Sequence, residues 1–331
     1  MGCRRHHDAE SSRTMTADAM VDDDLHAAAV SDFSQQLHLE ASQLSAGRVA
    51  ILLDQTLQPL DDATLLPYKD AGAVLHTARI RHPDIAWNRC PVLAEIDSAS
   101  FAGSNTLEQS CLAALQELQP QQLRTGQGRS IGGWWLSDEP YERLAVHLSR
   151  TMLQARPGGA AAWLRLQDPR VLWALWPLLG PAQQSSLLGP ASCVFLPDPA
   201  GRLQKFERAP GARKGFGVPL RLSAAQWCDV DNLEALHQML TNLGLLVWEK
   251  LEPARCTAMA AMRRARAAKW HDRNDLAVFA HKAVTVHPLF EQHPQVAALL
   301  AKRQADDYFT ALIDELSESD WQRIAHELSG H

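Results

Sequence analysis

The sequence predicts an α/β fold, with an N-terminal lobe built on a mixed sheet and an all-helical C-terminal lobe. Short apolar runs alternate with helical periodicity over residues 48–166, which is typical of a sheet covered by helices. From residue 223 onward the apolar positions recur every three and four residues, and no convincing strand follows. An α+β arrangement of the same elements is left open.

Length and composition favour a folded protein of one large or two smaller domains. The chain has 331 residues, 46% of them hydrophobic and 21% charged. We divide it into a disordered tail (1–45), an α/β domain (46–212) and a helical domain (213–331). The tail is rich in Asp, Ser, Ala and His, and either Met15 or Met20 could begin the native chain. Six scattered cysteines without a CxxC pair indicate reduced thiols, as in a cytosolic protein.

The α/β domain begins with two buried strands. Arg48–Gln55 is an apolar run that reaches Asp54 at its end, and Cys90–Asp97 repeats the pattern. Between these strands we predict one helix with loops. A second helix covers Asn105–Leu118, with Asn105 as its N-cap.

The alternation of strand and helix continues to the end of this domain. Strand Gly128–Ser137 leads into a helix that Ser137 or Asp138 caps. Strand Ala160–Leu166 follows, and a later pair of strands turns at residues 198–201, Asp-Pro-Ala-Gly, as a β-hairpin.

A rigid junction follows in the segment LRLQDPRVLWALWPLLGPAQQSSLLGP. Asp168 can accept hydrogen bonds from the free N–H groups of a new helix, and Pro169 suits the first position of that helix. Pro177 kinks or ends it. Gly180 and Gly189 are predicted to be left-handed residues at the ends of two helices. Each conspicuous residue therefore has a structural role, and we predict no catalytic residue here.

Two arginines of the same segment lack a local explanation. Arg165 alternates with two leucines and so points away from the core, and Arg170 lies in a first helical turn, where the helix dipole disfavours a cation. Two interpretations stay open. Each arginine pairs with Asp168 or with an acidic strand end, or it contacts a bound protein.

The helical domain contains a strongly basic segment. Ser223 is the predicted N-cap of the first helix, and the later segment RCTAMAAMRRARAAKWHDR forms a Met-bearing basic helix. Arg263, Arg266 and Trp270 come close to one face of this helix, which predicts a surface for an acidic partner helix or for nucleic acid. A solvated helix packed through Ala and Met is the alternative.

The Asp-Pro-Arg junction resembles the effector adaptor (chaperone) family of bacterial type VI secretion. Members share a strand carrying Arg, an Asp-Pro-Arg-Val-Leu motif, a Leu-Pro-Leu-Leu segment and a Gly-Pro that closes the second helix. The matching positions are Arg165, Asp168, Pro169, Arg170, Val171, Leu172, Pro177, Leu178, Leu179, Gly189 and Pro190. The resemblance covers about residues 48–210, and it departs at Gln167, where the family often carries an aromatic residue.

This resemblance implies a protein that binds one effector toxin in the bacterial cytoplasm and loads it onto the secretion spike. The implied partners are the effector and the spike, namely its tip protein VgrG and a PAAR-type or other N-terminal region of the effector. The work is protein–protein binding, with no bond made or broken and no cofactor. Arg165, Arg170, Arg263, Arg266 and Trp270 are the candidate contact residues.

Two other classes of function are the alternatives: a small-molecule enzyme with its site in the α/β lobe, and a nucleic-acid-binding regulatory module. The sequence lacks a nucleophile elbow, a Walker loop, a GxGxxG loop and an HExxH motif. A formal net charge of −6 argues against nucleic acid as the main partner. His281, His287 and His293 are spaced by six residues rather than three or four, so we predict no metal site. No apolar run reaches bilayer length, so we predict no membrane partner.

Overall fold

The computed structural model describes residues 28–44, 47–56, 62–119, 122, 129–215, 217–244, 250–304 and 306–330. They form two compact units. The first contains the described residues up to Gln154 together with Ala162–Leu220, and the second contains Ala155–Ala161 and the described residues from Arg221. The domain limits given above stay predictions, although residues 213–220, which we assigned to the helical domain, cluster with the first unit.

The first unit is built on a six-stranded sheet with the strand order β2-β3-β1-β4-β7-β8. These strands are β1 (Arg48–Leu53), β2 (Val74–Thr77), β3 (Val92–Asp97), β4 (Ile131–Leu136), β7 (Cys193–Pro197) and β8 (Leu203–Glu207). A separate two-stranded sheet pairs β5 (Leu153–Ala155) with β6 (Ala161–Trp163). The five pairings of the large sheet are antiparallel. The predicted fold class is confirmed in its α+β variant, since an antiparallel sheet stands where a mixed one was expected.

A helix over residues 28–42, α1, lies in the part of the chain that we predicted to be a disordered tail. Val30, Phe33, Leu37 and Ala41 recur at helical spacing, and all four are buried. The ring of Phe33 meets the ring of Trp134 edge-to-face at 6.5 Å. The tail prediction is therefore wrong for these residues, because their apolar stripe covers one face of the sheet. Residues 1–27 lie outside the described residues.

Helices cover both faces of the sheet. On one face, α1 and α3 (Phe101–Gln116) pack on alternate residues of the central strands, and Trp134 donates its Nε1–H to Ser110 Oγ at 2.9 Å. On the other face, α4 (Tyr141–Thr151) contacts β2 and β3, and α5 (Pro169–Leu175) contacts β4 and β7. The remaining helices of the unit are α2 (Asp62–Asp70) and α6 (Pro181–Leu188).

Two of the predicted helix starts are wrong. Helix α3 begins one turn earlier than expected, because Ser100 accepts the Gly103 N–H at 3.0 Å and is its N-cap, whereas Asn105 lies inside the helix. Pro140 is the N-cap residue of helix α4, and its side chain makes no capping hydrogen bond. Ser137, one of the two predicted caps, instead accepts the Glu139 N–H at 3.0 Å within the turn before the helix.

The second unit is helical. Its helices are α7 (Ala224–Val230), α8 (Leu233–Leu243), α9 (Leu251–Ala267), α10 (Arg273–Thr285), α11 (Pro294–Leu300), α12 (Phe309–Ile313) and α13 (Glu318–Ser329). Ser223 caps α7 as predicted and accepts the Gln226 N–H at 3.2 Å. Aromatic rings form the core of the unit, with Phe279 at 4.8 Å from Phe290 and 5.0 Å from Phe309. None of the helices in the described ranges is both long and apolar enough to cross a bilayer.

Candidate functional site

The Asp-Pro-Arg junction forms a tight corner between β6 and α5. Asp168 is the N-cap of α5 and accepts the Arg170 N–H at 3.0 Å, and Pro169 occupies the first helical position. Both predicted roles are confirmed. The corner is held down on the sheet because the backbone of Gln167 crosses Gly132 of β4, where a Cβ would lie 2.5 Å from the Gln167 carbonyl oxygen. A glycine is needed at this crossing for steric reasons.

Arg170 finds its partner within the corner. Its Nη2 lies 2.7 Å from Asp168 Oδ2 and its Nε lies 3.0 Å from Asp168 Oδ1, which is a two-pronged ion pair. The Asp168 side chain is 7% exposed and that of Arg170 is 27% exposed. Burial pulls the pKa of Arg170 down, but the hydrogen bonds and charge of Asp168 outweigh it and leave this pKa above its usual value.

Arg165 pairs with an acidic strand end. Its Nη2 lies 3.3 Å from Asp54 Oδ2, directly after β1, and 2.8 Å from Thr56 Oγ1. Asp54 also accepts the N–H and O–H of Thr56 at 2.8 and 2.6 Å. Burial raises the pKa of the Asp54 carboxyl despite these bonds and the Arg165 charge. The structure thus supplies the internal partners of Arg165 and Arg170, and partner binding by either stays a prediction.

A third arginine lies deeper, beside these pairs. Arg129 is 8% exposed, and its Nε and Nη1 have no hydrogen-bond partner among the described residues. Burial lowers the pKa of Arg129 to about 10, against the opposing charges of Asp168 and Glu117. Glu117 accepts the Ser130 N–H at 2.9 Å, and burial raises its pKa. We call Asp54, Glu117, Arg129, Arg165, Asp168 and Arg170 the corner cluster.

The corner cluster balances three guanidinium groups against three carboxyl groups. The sequence identified Arg165, Asp168 and Arg170, and it missed Glu117 and Arg129, which precede β4 at positions that carry no motif. Because each carboxyl group is engaged by hydrogen bonds or by an ion pair, the arrangement fixes the strand ends against α5. Chemically it is a scaffold whose outer rim is formed by the half-buried arginines.

The second half of the junction is partly as predicted. Pro177 follows the end of α5 and lies in a short 3-10 turn, Trp176–Leu178, as expected. Gly189 ends α6 with a φ of +57°, and a Cβ there would lie 2.3 Å from the ring of His147. Gly180 is not left-handed, because its φ is −73° and it is the N-cap of α6. The prediction for Gly180 is wrong since the chain leaves the 3-10 turn through an extended residue.

Two arginines of the basic helix α9 are engaged by hydrogen bonds within the second unit. Arg263 donates from Nε and Nη2 to Asp229 at 2.7 Å each, and Arg266 donates to Asn232 and, at 3.0 Å, to the Asp231 carbonyl oxygen. Hydrogen bonding to Asp229 raises the pKa of Arg263. The predicted docking face is therefore engaged internally by α7 and the turn that follows it.

The prediction that Trp270 is a partner-contact residue requires an exposed side chain, and the structure buries it. It is 3% exposed, its ring lies 5.8 Å from that of Phe309, and the guanidinium carbon of Arg303 lies 3.6 Å from the ring centroid. Trp270 lies beyond the end of α9 at Ala267, and its apolar area is used in the core of the helical unit, so helical spacing could not predict its surroundings. Arg264 likewise pairs with Glu291, Nε to Oε1 at 2.6 Å.

The three evenly spaced histidines have separate environments. His293 caps α11 and lies 2.8 Å, Nε2 to Oε2, from Glu327, while His287 accepts the Leu289 N–H at 3.2 Å. Burial lowers the pKa of His281. Across the described ranges, no three His, Cys, Asp or Glu side chains are grouped to hold a metal ion.

A basic groove lies beside the edge strand β2 and encloses about 770 Å³. Its residues come from β2 and the segment that follows, and from α4 and the start of β5. They are Leu75, His76, Thr77, Arg79, Arg81, Glu142, Ala145, Val146, Ser149, Arg150 and Leu153. This site was not predicted, because the sequence between β1 and β3 indicated one helix with loops and no strand. The usable signal was the alternation of Ala78 and Ile80, both buried, with the exposed Arg79 and Arg81.

The cations of the basic groove differ from those of the corner cluster. Arg79, Arg81 and Arg150 are exposed, and within the described residues none of them forms an ion pair. The guanidinium carbon of Arg79 lies 4.3 Å above the ring of Trp87, which is itself 55% exposed. Among the described residues that line the groove, Glu142 is the one with an acidic side chain.

Comparison with known proteins gives one match. The model of a family described as "Domain of unknown function (DUF4123)" matches residues 81–186, about a third of the chain, which run from the basic groove through β3, α3, β4 and α4 to the Asp-Pro-Arg corner and α6. No curated protein and no solved structure matches.

Proposed function

We propose that this chain is an adaptor that binds one type VI secretion effector in the bacterial cytoplasm and brings it to the VgrG spike, without catalysing a reaction. The match of residues 81–186 to DUF4123 carries the proposal, because that family is associated with effector adaptors of type VI secretion. The matched segment contains the Asp-Pro-Arg corner from which the resemblance was first drawn.

The character of the corner supports a binding role. Asp168 and Arg170 are the residue types that a catalytic site would use, but here each is engaged by the other at 2.7 Å. Asp54 is held by Thr56 and Arg165 in the same way. A scaffold of paired charges keeps strand ends and a helix start in register, and such rigidity is useful for presenting a docking surface.

A pull-down and a delivery assay test the proposal together. In a bacterium that encodes this chain and a type VI system, the tagged chain should co-purify in near-equal amounts with one effector, and with VgrG when the spike is present. Deleting the gene should abolish delivery of that effector alone, and a second effector of the same strain is the control. Unchanged delivery after deletion, or a purified chain that binds neither effector nor spike, contradicts the adaptor function.

A further inference from the structure

We infer that the basic groove binds an extended, acidic segment of the effector, which adds a strand to the open edge of β2. This inference rests on the proposed adaptor function and assigns the surface through which it works. Three properties of the groove carry it: an unpaired strand edge, an apolar wall and an excess of unpaired cations.

The edge of β2 offers backbone groups to a new strand. Strand β2 ends the sheet, and among the described strands it pairs only with β3. Ala78 donates its N–H to the Pro91 carbonyl oxygen at 2.9 Å, which fixes the alternation of the antiparallel ladder. It follows that the N–H and C=O of Leu75 and Thr77 point away from β3. An extended peptide can pair with these four groups, as in other strand-addition complexes.

Helix α4 gives the groove an apolar wall. Ala145 and Val146 lie on its groove side, with Leu153 beyond the end of the helix, and Val146 is 43% exposed. On an added strand, alternate side chains point to the same face and lie roughly 7 Å apart. One set of alternate side chains would then lie along this wall, so we expect small or aliphatic residues at those positions of the bound segment.

The charge of the groove selects an acidic occupant. Arg79, Arg81 and Arg150 face one carboxylate, Glu142, and the described residues provide these three arginines with no ion pair. Stacking on Trp87 orders the guanidinium of Arg79 while leaving its N–H edge available for a carboxylate. Asp or Glu at the other alternate positions of the segment would complete the site.

Charge-reversal variants test the groove assignment separately from the adaptor function. The effector that co-purifies with the wild-type chain is the probe, and its affinity is measured for Arg81→Glu, Arg150→Glu and the control Arg89→Glu. Arg89 is an exposed arginine in the 3-10 turn after the groove segment, and it does not line the groove. We expect Arg81→Glu and Arg150→Glu each to weaken effector binding about tenfold or more, since like charges then meet, and Arg89→Glu to change it less than about twofold.

The outcomes separate the two proposals. If the wild-type chain binds no effector, both fall. If it binds and the groove variants bind equally well, the groove assignment is wrong while the adaptor function stands. Loss of VgrG binding with effector binding intact would also overturn the assignment, because the occupant would then be the spike.

Hydrogen exchange gives a second test, which uses the wild-type chain and so does not require that a variant folds. In the complex with the effector, the amides of Leu75 and Thr77 should exchange at least about tenfold more slowly than in the free chain, because they become donors in a strand pair. The amides of β1, which are already paired on both sides, serve as the internal control. Unchanged exchange at Leu75 and Thr77 in the bound state rules out strand addition.

Discussion

Two sets of arginines within the first unit differ in whether a carboxylate pairs with them. In the corner cluster, Arg170 and Arg165 lie 2.7 and 3.3 Å from the carboxylates of Asp168 and Asp54. In the basic groove, Arg81 and Arg150 are exposed and form no ion pair with the described residues. The conspicuous motif thus forms the scaffold, and an inconspicuous segment carries the unpaired charge.

This difference shows that the role of an arginine depends on the carboxylates around it rather than on the motif that contains it. A half-buried guanidinium that is held by a buried carboxylate is part of the fold, because separating the two would leave a buried charge without its partner. An exposed guanidinium without a partner costs the fold little and can bind a ligand. Substitutions in the corner cluster should therefore lower the stability of the fold, whereas substitutions in the basic groove should weaken binding and leave stability almost unchanged.

Removing the carboxylate of the corner should give the largest loss of stability. Asp168→Ala removes the N-cap of α5 and the ion-pair partner of Arg170 together. A cap alone is worth about 1 kcal/mol, and loss of one member of a mostly buried pair adds more, so we expect a decrease of about 3 kcal/mol in the free energy of unfolding. Urea denaturation followed by fluorescence of the tryptophans measures it.

Arg150→Ala is the matched change in the groove. It should alter the free energy of unfolding by less than about 0.5 kcal/mol, as exposed substitutions usually do. Equal losses for the Asp168 and Arg150 variants would break the distinction between scaffold and groove.

A methyl group at the crossing of the corner over β4 should have the next largest effect. In Gly132→Ala the new Cβ would lie 2.5 Å from the Gln167 carbonyl oxygen, so one of the two backbones must move. We expect a loss of about 2 kcal/mol, in the range of overpacked core positions. Gly180→Ala is the control, because the nearest atom to its Cβ would be Gln183 Oε1 at 3.8 Å. If the control loses as much stability as Gly132→Ala, the close approach is not what constrains Gly132.

Much of the α/β unit could be predicted because its strands are short apolar runs. Strands β1, β3 and β4, the turn between β7 and β8, and the Asp168 cap all follow from local patterns. Helix α1 was not predicted, because its four buried apolar residues are separated by polar ones and the segment has the polar composition of a disordered tail. Strand β2 was missed because it is four residues long and exposed at its edge.

The sites were harder to predict than the fold, because charge pairing is a property of the tertiary structure. The sequence placed Arg165 and Arg170 at positions that need a partner, but Asp54 is 111 residues from Arg165 along the chain. The same limit explains Trp270, whose surroundings come from α12 and from Arg303. In the basic groove, three unremarkable arginines become a site only when β2 and α4 are adjacent.

The pH dependence of stability gives the smallest of the expected effects and shows whether burial or charge pairing dominates at the Asp54 carboxyl. Burial raises the pKa of this carboxyl, although hydrogen bonds from Thr56 and the charge of Arg165 oppose the shift. The folded state therefore holds this proton to a higher pH than the unfolded chain, whose aspartates titrate near about 4. Because the folded state then binds more protons, the contribution of Asp54 to stability falls as pH rises through that window.

Asp54→Asn removes this titration and keeps an acceptor for Thr56. We expect the free energy of unfolding of the wild type, measured relative to the variant by urea denaturation, to decrease from pH 4 to pH 7. The opposite slope would mean that the pair with Arg165 outweighs burial. In that case Asp54 would belong with Asp168, whose two-pronged pair keeps the pKa of Arg170 above its usual value, and the whole corner cluster would be held by its charges. The expected slope instead means that burial of the Asp54 carboxyl outweighs both the hydrogen bonds from Thr56 and the charge of Arg165.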